Sequence, residues 1–263
     1  SQPELNEFFS KAADKMDIRK DIQFNTGVVN AIFDESRNLW ELELDNADVV
    51  TCRFLVTCMG VLSNPIMPNI KGNELFRGSS FHSYYWPHEK NSFGDKQVDF
   101  AGKRVGVIGT GATGVQIITE VAKTAGELFV FQRHANWCAP LCNTPIEPDR
   151  MANIRQNYAE IFATCDATWG GFKHEFRYGS VKEHSKAERE ALFEQLYNEP
   201  GFGIWLGHYL DTLLDKDANA IISEFMEKKI RGRINDQKIA DKLIPKDHGF
   251  GIKRVPMQTY DYA

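Results

Sequence analysis

The sequence predicts an α/β protein built on a Rossmann-like dinucleotide-binding unit, with a helical insertion behind it and a β-meander ahead of it. Three observations carry that expectation. A strand, a glycine triplet and a helix follow one another over residues 103–125, and a second strand follows at 128–131. Residues 39–44, Leu-Trp-Glu-Leu-Glu-Leu, alternate apolar and polar side chains with the period of a half-buried strand. Between residues 147 and 243 the apolar spacing turns helical.

Taken in order, residues 4–16 place apolar side chains at helical spacing. Strand candidates follow at 22–29, extendable to 33, and at 39–44 after the turn-forming Asp34-Glu-Ser-Arg-Asn38. A third candidate at 49–58 ends in Arg53-Phe-Leu-Val-Thr-Cys-Met-Gly60, which reads as a buried strand closed by glycine. A single meander is marginal by itself, so residues 1–65 are expected to be part of a larger sheet domain. Asn64-Pro-Ile-Met-Pro-Asn-Ile-Lys-Gly72 is a proline-punctuated connection. In the insertion, helices are expected near 150–163, 186–197 and 215–231, with breaks at Trp169-Gly-Gly-Phe172 and Pro200-Gly-Phe-Gly-Ile-Trp205. Residues 249–262 look extended.

Composition narrows the function. With 263 residues, 42% hydrophobic and 25% charged, the chain is an ordinary globular protein with room for real cores. A net charge of -5 gives no basic footprint for nucleic acid. No apolar run is long enough to cross a bilayer, so no membrane partner is expected. The chain opens at Ser1 with no signal-peptide pattern; a start without Met is what a cleaved or cut chain gives. Cys52, Cys58, Cys138, Cys142 and Cys165 are odd in number and scattered, which suggests buried reduced thiols in a reducing, cytoplasmic setting. Cys138 and Cys142 near His134 match no zinc spacing, so no metal site is expected.

The chemistry gathers at Gly109-Thr-Gly-Ala-Thr-Gly114. Such a triplet is weak evidence alone, but here it ends a strand and opens a helix. Gly109 permits the tight turn, Gly111 lets a pyrophosphate approach the backbone, and Gly114 packs the helix against the sheet. The helix N-terminus offers free N–H groups to the phosphates. Gly109, Thr110, Gly111, Ala112, Thr113, Gly114 and Gln116 form the expected cofactor-binding set. The next strand ends at Gln132-Arg133, where an NAD-binding unit carries a carboxylate for the ribose 2′-OH. Arg133 instead suits a 2′-phosphate, so the expected cofactor is NADPH.

A further segment, Phe76-Arg-Gly-Ser-Ser-Phe-His-Ser-Tyr-Tyr-Trp-Pro87, precedes the strand–glycine–helix unit. On its residues alone it is an aromatic-rich crossing in which His82 is a satisfied core histidine. Its fixed positions, Phe76, Gly78, His82, Trp86 and Pro87, resemble the fingerprint of the Baeyer–Villiger monooxygenases, a flavoprotein family. Related monooxygenases acting on amines and sulfides share the Phe-Gly-His part but generally lack the Trp-Pro ending. The resemblance implies an NADPH- and FAD-dependent enzyme that places one oxygen atom of O2 beside a ketone carbonyl through a peroxyflavin, giving an ester or lactone. Gly249-Phe-Gly-Ile-Lys-Arg-Val-Pro256 resembles the family's return from the insertion. By that likeness Lys253 joins Arg133 on the 2′-phosphate, and Arg254 is the active-site arginine. The run from Gln258 to Ala263 departs from the family's usual ending in Tyr-Tyr-Glu, which weakens any transfer there.

The resemblance implies residues 1–65 as part of a split FAD-binding domain, 66–145 as the NADP-binding domain, 146–246 as the helical insertion and 247–263 as the return strand. The family has a second glycine triplet for FAD, and this chain carries one triplet only. The expectation is therefore a fragment, clipped at both ends, that needs the rest of the FAD domain for activity. Two alternatives stand beside it: a flavin monooxygenase oxidising nitrogen or sulfur, and a non-catalytic NADP(H)-binding module.

Overall fold

The structure is a computed structural model that describes residues 2–62, 64–87, 89–91, 94–96 and 98–258. It divides into two compact units, residues 1–78 and 79–263.

In the first unit, helix α1 (Gln2–Lys15) is followed by a single 3-10 turn at Arg19–Asp21. Strands β1 (Val28–Asp34), β2 (Leu39–Leu44) and β3 (Val49–Cys52) form an antiparallel meander in the order β1-β2-β3. The β1–β2 turn follows from Asp34, whose Oδ1 accepts from the N–H of Ser36 (2.9 Å) and Arg37 (3.2 Å), an Asx turn. Asn38 closes it at φ 53°, a left-handed conformation that asparagine tolerates.

Two expected strands are not formed as read. Residues 22–27 are not a strand; Asn25 adopts φ 55° and turns the chain before β1. The third strand stops at Cys52, and Phe54, Val56 and Met59 stand more than three-quarters exposed. The apolar run beyond Cys52 has no pairing strand among the described residues, and a lone extended segment has no ladder to hold it. Leu44 alone among the described residues of this unit is a fully buried apolar side chain, so the meander is a single layer without a core of its own.

In the second unit a 3-10 turn at Ser83–Tyr85 precedes a hairpin of β4 (Glu89–Asn91) and β5 (Gly94–Lys96), which the sequence pattern did not suggest. The expected strand–helix–strand unit follows as β6 (Arg104–Ile108), α2 (Ala112–Val121) and β7 (Glu127–Phe131), with β6 and β7 parallel and Arg104 opposite Glu127. Val115, Ile118 and Val121 bury the inner face of α2.

After β7 comes the short strand β8 (Ala139–Pro140), and then the helices α3 (Pro148–Gln156), α4 (Tyr158–Ala167), α5 (Lys186–Asn198), α6 (Gly203–Leu206), α7 (Lys216–Arg233) and α8 (Gln237–Leu243). The helix expected over 150–163 is broken at Asn157, whose Nδ2 donates to the Asn153 carbonyl (2.8 Å) and competes with the helical ladder. Capping fixes the other starts. Ser185 and Glu188 form a capping box on α5, and Asp215 accepts from Ala218 N at the start of α7 (2.8 Å).

The chain returns as β9 (Met257–Gln258), parallel to β8 in a separate two-stranded pair rather than against β6 or β7. Residues 249–254, expected to be extended, instead form a turn around Gly251 at φ 79°. Residues 259–263 lie outside the described residues. The core sits among the helices: Phe193, Leu196, Ile222, Phe225, Met226 and Ile244 pack with Trp137, Ala139, Phe250 and Val255 from the flanking segments. Helices α5 to α8 and the return therefore form one packed body.

Candidate functional site

The glycine turn has the geometry of a phosphate cradle. Gly109 adopts φ 103°, open in practice only to glycine, and its N–H donates to Phe131 O of β7 (2.9 Å). A Cβ on Gly114 would lie 2.3 Å from Gly109 O, so the helix can approach the turn only with glycine there. A Cβ on Gly111 would meet nothing within 4 Å. Gly111 is the N-cap of α2 and supplies no side-chain cap, which leaves the first N–H groups of the helix facing open space. A pyrophosphate fits those donors and that space. Thr110 is buried, and its Oγ1 donates to His134 O (3.2 Å), tying the turn to the end of β7. Ala112 and Thr113 form the first turn of α2, and Gln116 is exposed in the second.

The end of β7 is where the structure adds most. Arg133 is exposed, with no hydrogen bond or ion pair among the described residues. Asp247 brings the distant return segment to this point. Its carboxylate receives Lys253 Nζ at 3.1 Å, lies 3.6 Å from His134 Nδ1, and meets His248 Nδ1 at 2.7 Å. Hydrogen bonds from His248 and Lys253 hold the Asp247 carboxyl well below the usual carboxylate range. Lys253 is thereby beside the residue that follows Arg133. Further bonds stitch the stretch after β7 to α8, Gln132 Nε2 to Lys242 O (2.7 Å), and to the return, Asn136 Nδ2 to Arg254 O (3.3 Å) and Trp137 Nε1 to His248 O (3.1 Å). The Arg254 side chain is exposed.

The fingerprint residues form local packing. Phe76 lies over Gly78, where a Cβ would come within 2.7 Å of the ring, and both belong to the first unit. In the second unit His82 caps the 3-10 turn Ser83–Tyr85, its Nδ1 accepting from Tyr84 N at 3.0 Å. Trp86 stands edge-on to Phe81 (5.2 Å) and Phe100 (5.9 Å), and Pro87 is exposed.

Sequence reasoning missed Asp247, which no motif marks. It also missed Asn219 and Ser223 of α7, which bind the backbone of Phe250; polar residues among buried Ala218, Ile222 and Met226 were the available signal. All five cysteines are free thiols, and burial pushes Cys138 up to about 12. Among the described residues no cluster could hold a metal, and no helix is long and apolar enough to cross a membrane.

A glycine turn between a strand and a helix, followed by a second, parallel strand, defines a Rossmann-type α/β class of protein. Residues 1–151 match the flavin-binding monooxygenase-like family, and the chain belongs to it. It is 50% identical over 262 residues to the 2-oxo-Delta(3)-4,5,5-trimethylcyclopentenylacetyl-CoA monooxygenase of Pseudomonas putida, covering 100% of this chain and 48% of that one. It is 37% identical over 246 residues to a cyclohexanone 1,2-monooxygenase of Acinetobacter sp, covering 93% and 44%. The crystal structure of OTEMO in complex with FAD and NADP matches with a TM-score of 0.92 at 50% identity, covering 100% of this chain and 49% of that one. The chain thus spans about half the length of the curated relatives it matches.

Proposed function

We propose that this chain is the NADPH-handling part of an NADPH- and FAD-dependent monooxygenase that inserts one oxygen atom of O2 beside a ketone carbonyl, giving an ester or lactone. The observation that carries the reading is the fingerprint Phe76, Gly78, His82, Trp86 and Pro87 ahead of a phosphate cradle, in a chain whose relatives include a cyclohexanone monooxygenase. NADPH supplies reducing equivalents and FAD the oxygen chemistry; the protein's part is to bind, orient and shield. The α2 N-terminus and the Gly111 backbone bind the pyrophosphate, with Thr110 holding the turn to β7. Arg133 and Lys253 bind the 2′-phosphate, the first by a planar fork of donors and the second as a point charge. Arg254, exposed in this structure, would offer a permanent cation to negative charge developing during oxygen transfer once water is excluded around it.

In this reading residues 1–65 belong to an FAD-binding domain, 66–145 to the NADP-binding domain, 146–246 to the helical insertion and 247–263 to the return. The remainder of the FAD domain is a required partner, and the setting is cytoplasmic. The test uses this chain joined to the remainder of the FAD domain, purified with its flavin and assayed under air with NADPH and a cyclic ketone. Ester or lactone formation supports the reading. Oxygenation of amines or sulfides with ketones untouched would replace it with the nitrogen- or sulfur-oxidising alternative. A colourless protein that binds NADPH and nothing else would make it a binding module.

A further inference from the structure

Helix α7 turns Asn219 and Ser223, one helical turn apart, into the interior beside the return segment. Both backbone polar groups of Phe250 end on them. Ser223 Oγ accepts from Phe250 N (2.9 Å), and Asn219 Nδ2 donates to Phe250 O (2.9 Å) and to Thr212 O (2.7 Å). The Ser223 hydroxyl in turn donates to Asn219 Oδ1 (3.0 Å), which closes the network. Gly249 lies so near that a Cβ there would come within 1.5 Å of Asn219 Oδ1. The Phe250 ring is fully buried, 6.2 Å from both Trp137 and His208.

Apolar side chains at 219 and 223 would leave the backbone groups of Phe250 and Thr212 that now end on them without these partners. A buried network satisfied at each of these bonds selects one register, because any slip of Phe250 leaves buried donors and acceptors unpaired. The consequence appears downstream. After Phe250 the chain turns at Gly251 and presents Lys253 and Arg254, whose side chains are exposed. Among the described residues Lys253 has one ion pair, to Asp247, and the backbone of Arg254 is held by Asn136. Where these two cations stand is therefore set by the backbone, and the backbone is fixed at Phe250.

We infer that Asn219 and Ser223 are positioning residues: they set the register of the Gly249–Arg254 turn, and with it the reach of Lys253 to the 2′-phosphate, so that the helical insertion controls the preference for NADPH over NADH. The inference rests on the reading of Lys253 as a 2′-phosphate ligand.

The experiment measures calorimetric affinities for NADP+ and NAD+, together with the melting temperature, on the full chain carrying Ser223→Ala, Ser223→Thr or Lys253→Ala. Ser223→Ala is expected to weaken NADP+ about fivefold while NAD+ changes less than about twofold. Ser223→Thr, which keeps the hydroxyl, restores NADP+ binding. Amide exchange at Phe250 should quicken in Ser223→Ala and return to normal in Ser223→Thr. If Ser223→Ala does not fold, Ser223→Cys carries the same comparison with a weaker acceptor in the same place. A folded variant that weakens both cofactors equally, or neither, overturns the inference. Lys253→Ala separates the two ways of failing. If Lys253→Ala loses NADP+ selectively and Ser223→Ala does not, positioning is wrong while the ligand reading stands. If Lys253→Ala leaves the NADP+ to NAD+ ratio unchanged, both are overturned.

Discussion

Arg133 has no partner among the described residues, whereas Lys253 is already engaged by Asp247, and the two cations should respond differently to substitution. Arg133→Ala should cost NADPH about 1.5–3 kcal/mol of binding, the worth of charge-assisted hydrogen bonds, and leave NADH nearly untouched. Equal losses for both cofactors, measured by titration, would remove the 2′-phosphate assignment. Lys253→Ala should show the same selectivity more weakly, because freeing Lys253 from Asp247 offsets part of its gain. Arg254→Ala should keep flavin content and NADPH affinity while ester formation falls about 10²–10³-fold, the usual loss of a preorganised charge partner. Product formation measured beside NADPH oxidation decides it, and ester made at a normal rate would make Arg254 structural. His208 offers a different test. It is fully buried, and burial lowers its pKa from 6.5 to about 4. The unfolded chain therefore binds the extra proton between those values, so this contribution to stability is complete above pH 6.5 and is lost as pH falls toward 4. Denaturant unfolding at pH 7.5 and pH 5 (about neutral and about acid) should show that slope, and His208→Gln should flatten it.

At the scale of elements, the β6–α2–β7 unit holds one glycine that the packing requires and one that it does not. A Cβ on Gly114 would strike the backbone of Gly109, which cannot yield without moving the turn, so Gly114→Ala should destabilise the fold by about 1–3 kcal/mol. A Cβ on Gly111 would enter open space. Gly111→Ala should thus keep the melting temperature and still weaken NADP+, because the methyl occupies ground assigned to the pyrophosphate. Undiminished NADP+ binding by a folded Gly111→Ala variant would mean the phosphates lie elsewhere. The insertion contributes through α7, whose side chains fix Phe250 and so connect a helical element to the cationic end of β7.

Across the whole molecule, apolar surface is unevenly covered. Helices α5 to α8 bury Phe193, Leu196, Ile204, Ile222, Phe225 and Met226, while Phe54, Val56 and Met59 beyond β3, Ile108 and Phe131 at the ends of β6 and β7, and Phe162 and Trp169 around α4 stay exposed. Parallel strands normally have both faces covered, and a meander normally packs on a second layer. We propose that the remainder of an FAD domain covers the first unit's apolar face. Accordingly the 263-residue chain by itself should bind FAD poorly, since one glycine triplet is present and it is assigned to NADPH. Titrating that chain with FAD is the measurement, and submicromolar binding would mean the domains have been misassigned.

What the sequence determined by itself was local, though not all of it: the β4–β5 hairpin and the turn at Gly251 were not legible. Gly109 and Gly114 announced the strand–turn–helix because each answers a backbone demand, and the alternation at residues 39–44 announced β2 because a pleated strand has period two. The Phe76–Pro87 fingerprint placed the chain in a flavin monooxygenase family because its positions are fixed in one short segment. The strand expected beyond Cys52 failed for the complementary reason: an apolar run states that a segment wants burial, and a strand exists only where a partner completes its hydrogen bonds. Only the tertiary structure decided that Asp247 draws Lys253 beside His134, or that Asn219 and Ser223 hold Phe250. Those contacts join residues up to 113 positions apart, from His134 to Asp247, through a packed helical body. Spacing along a chain carries no record of such pairs; packing creates them.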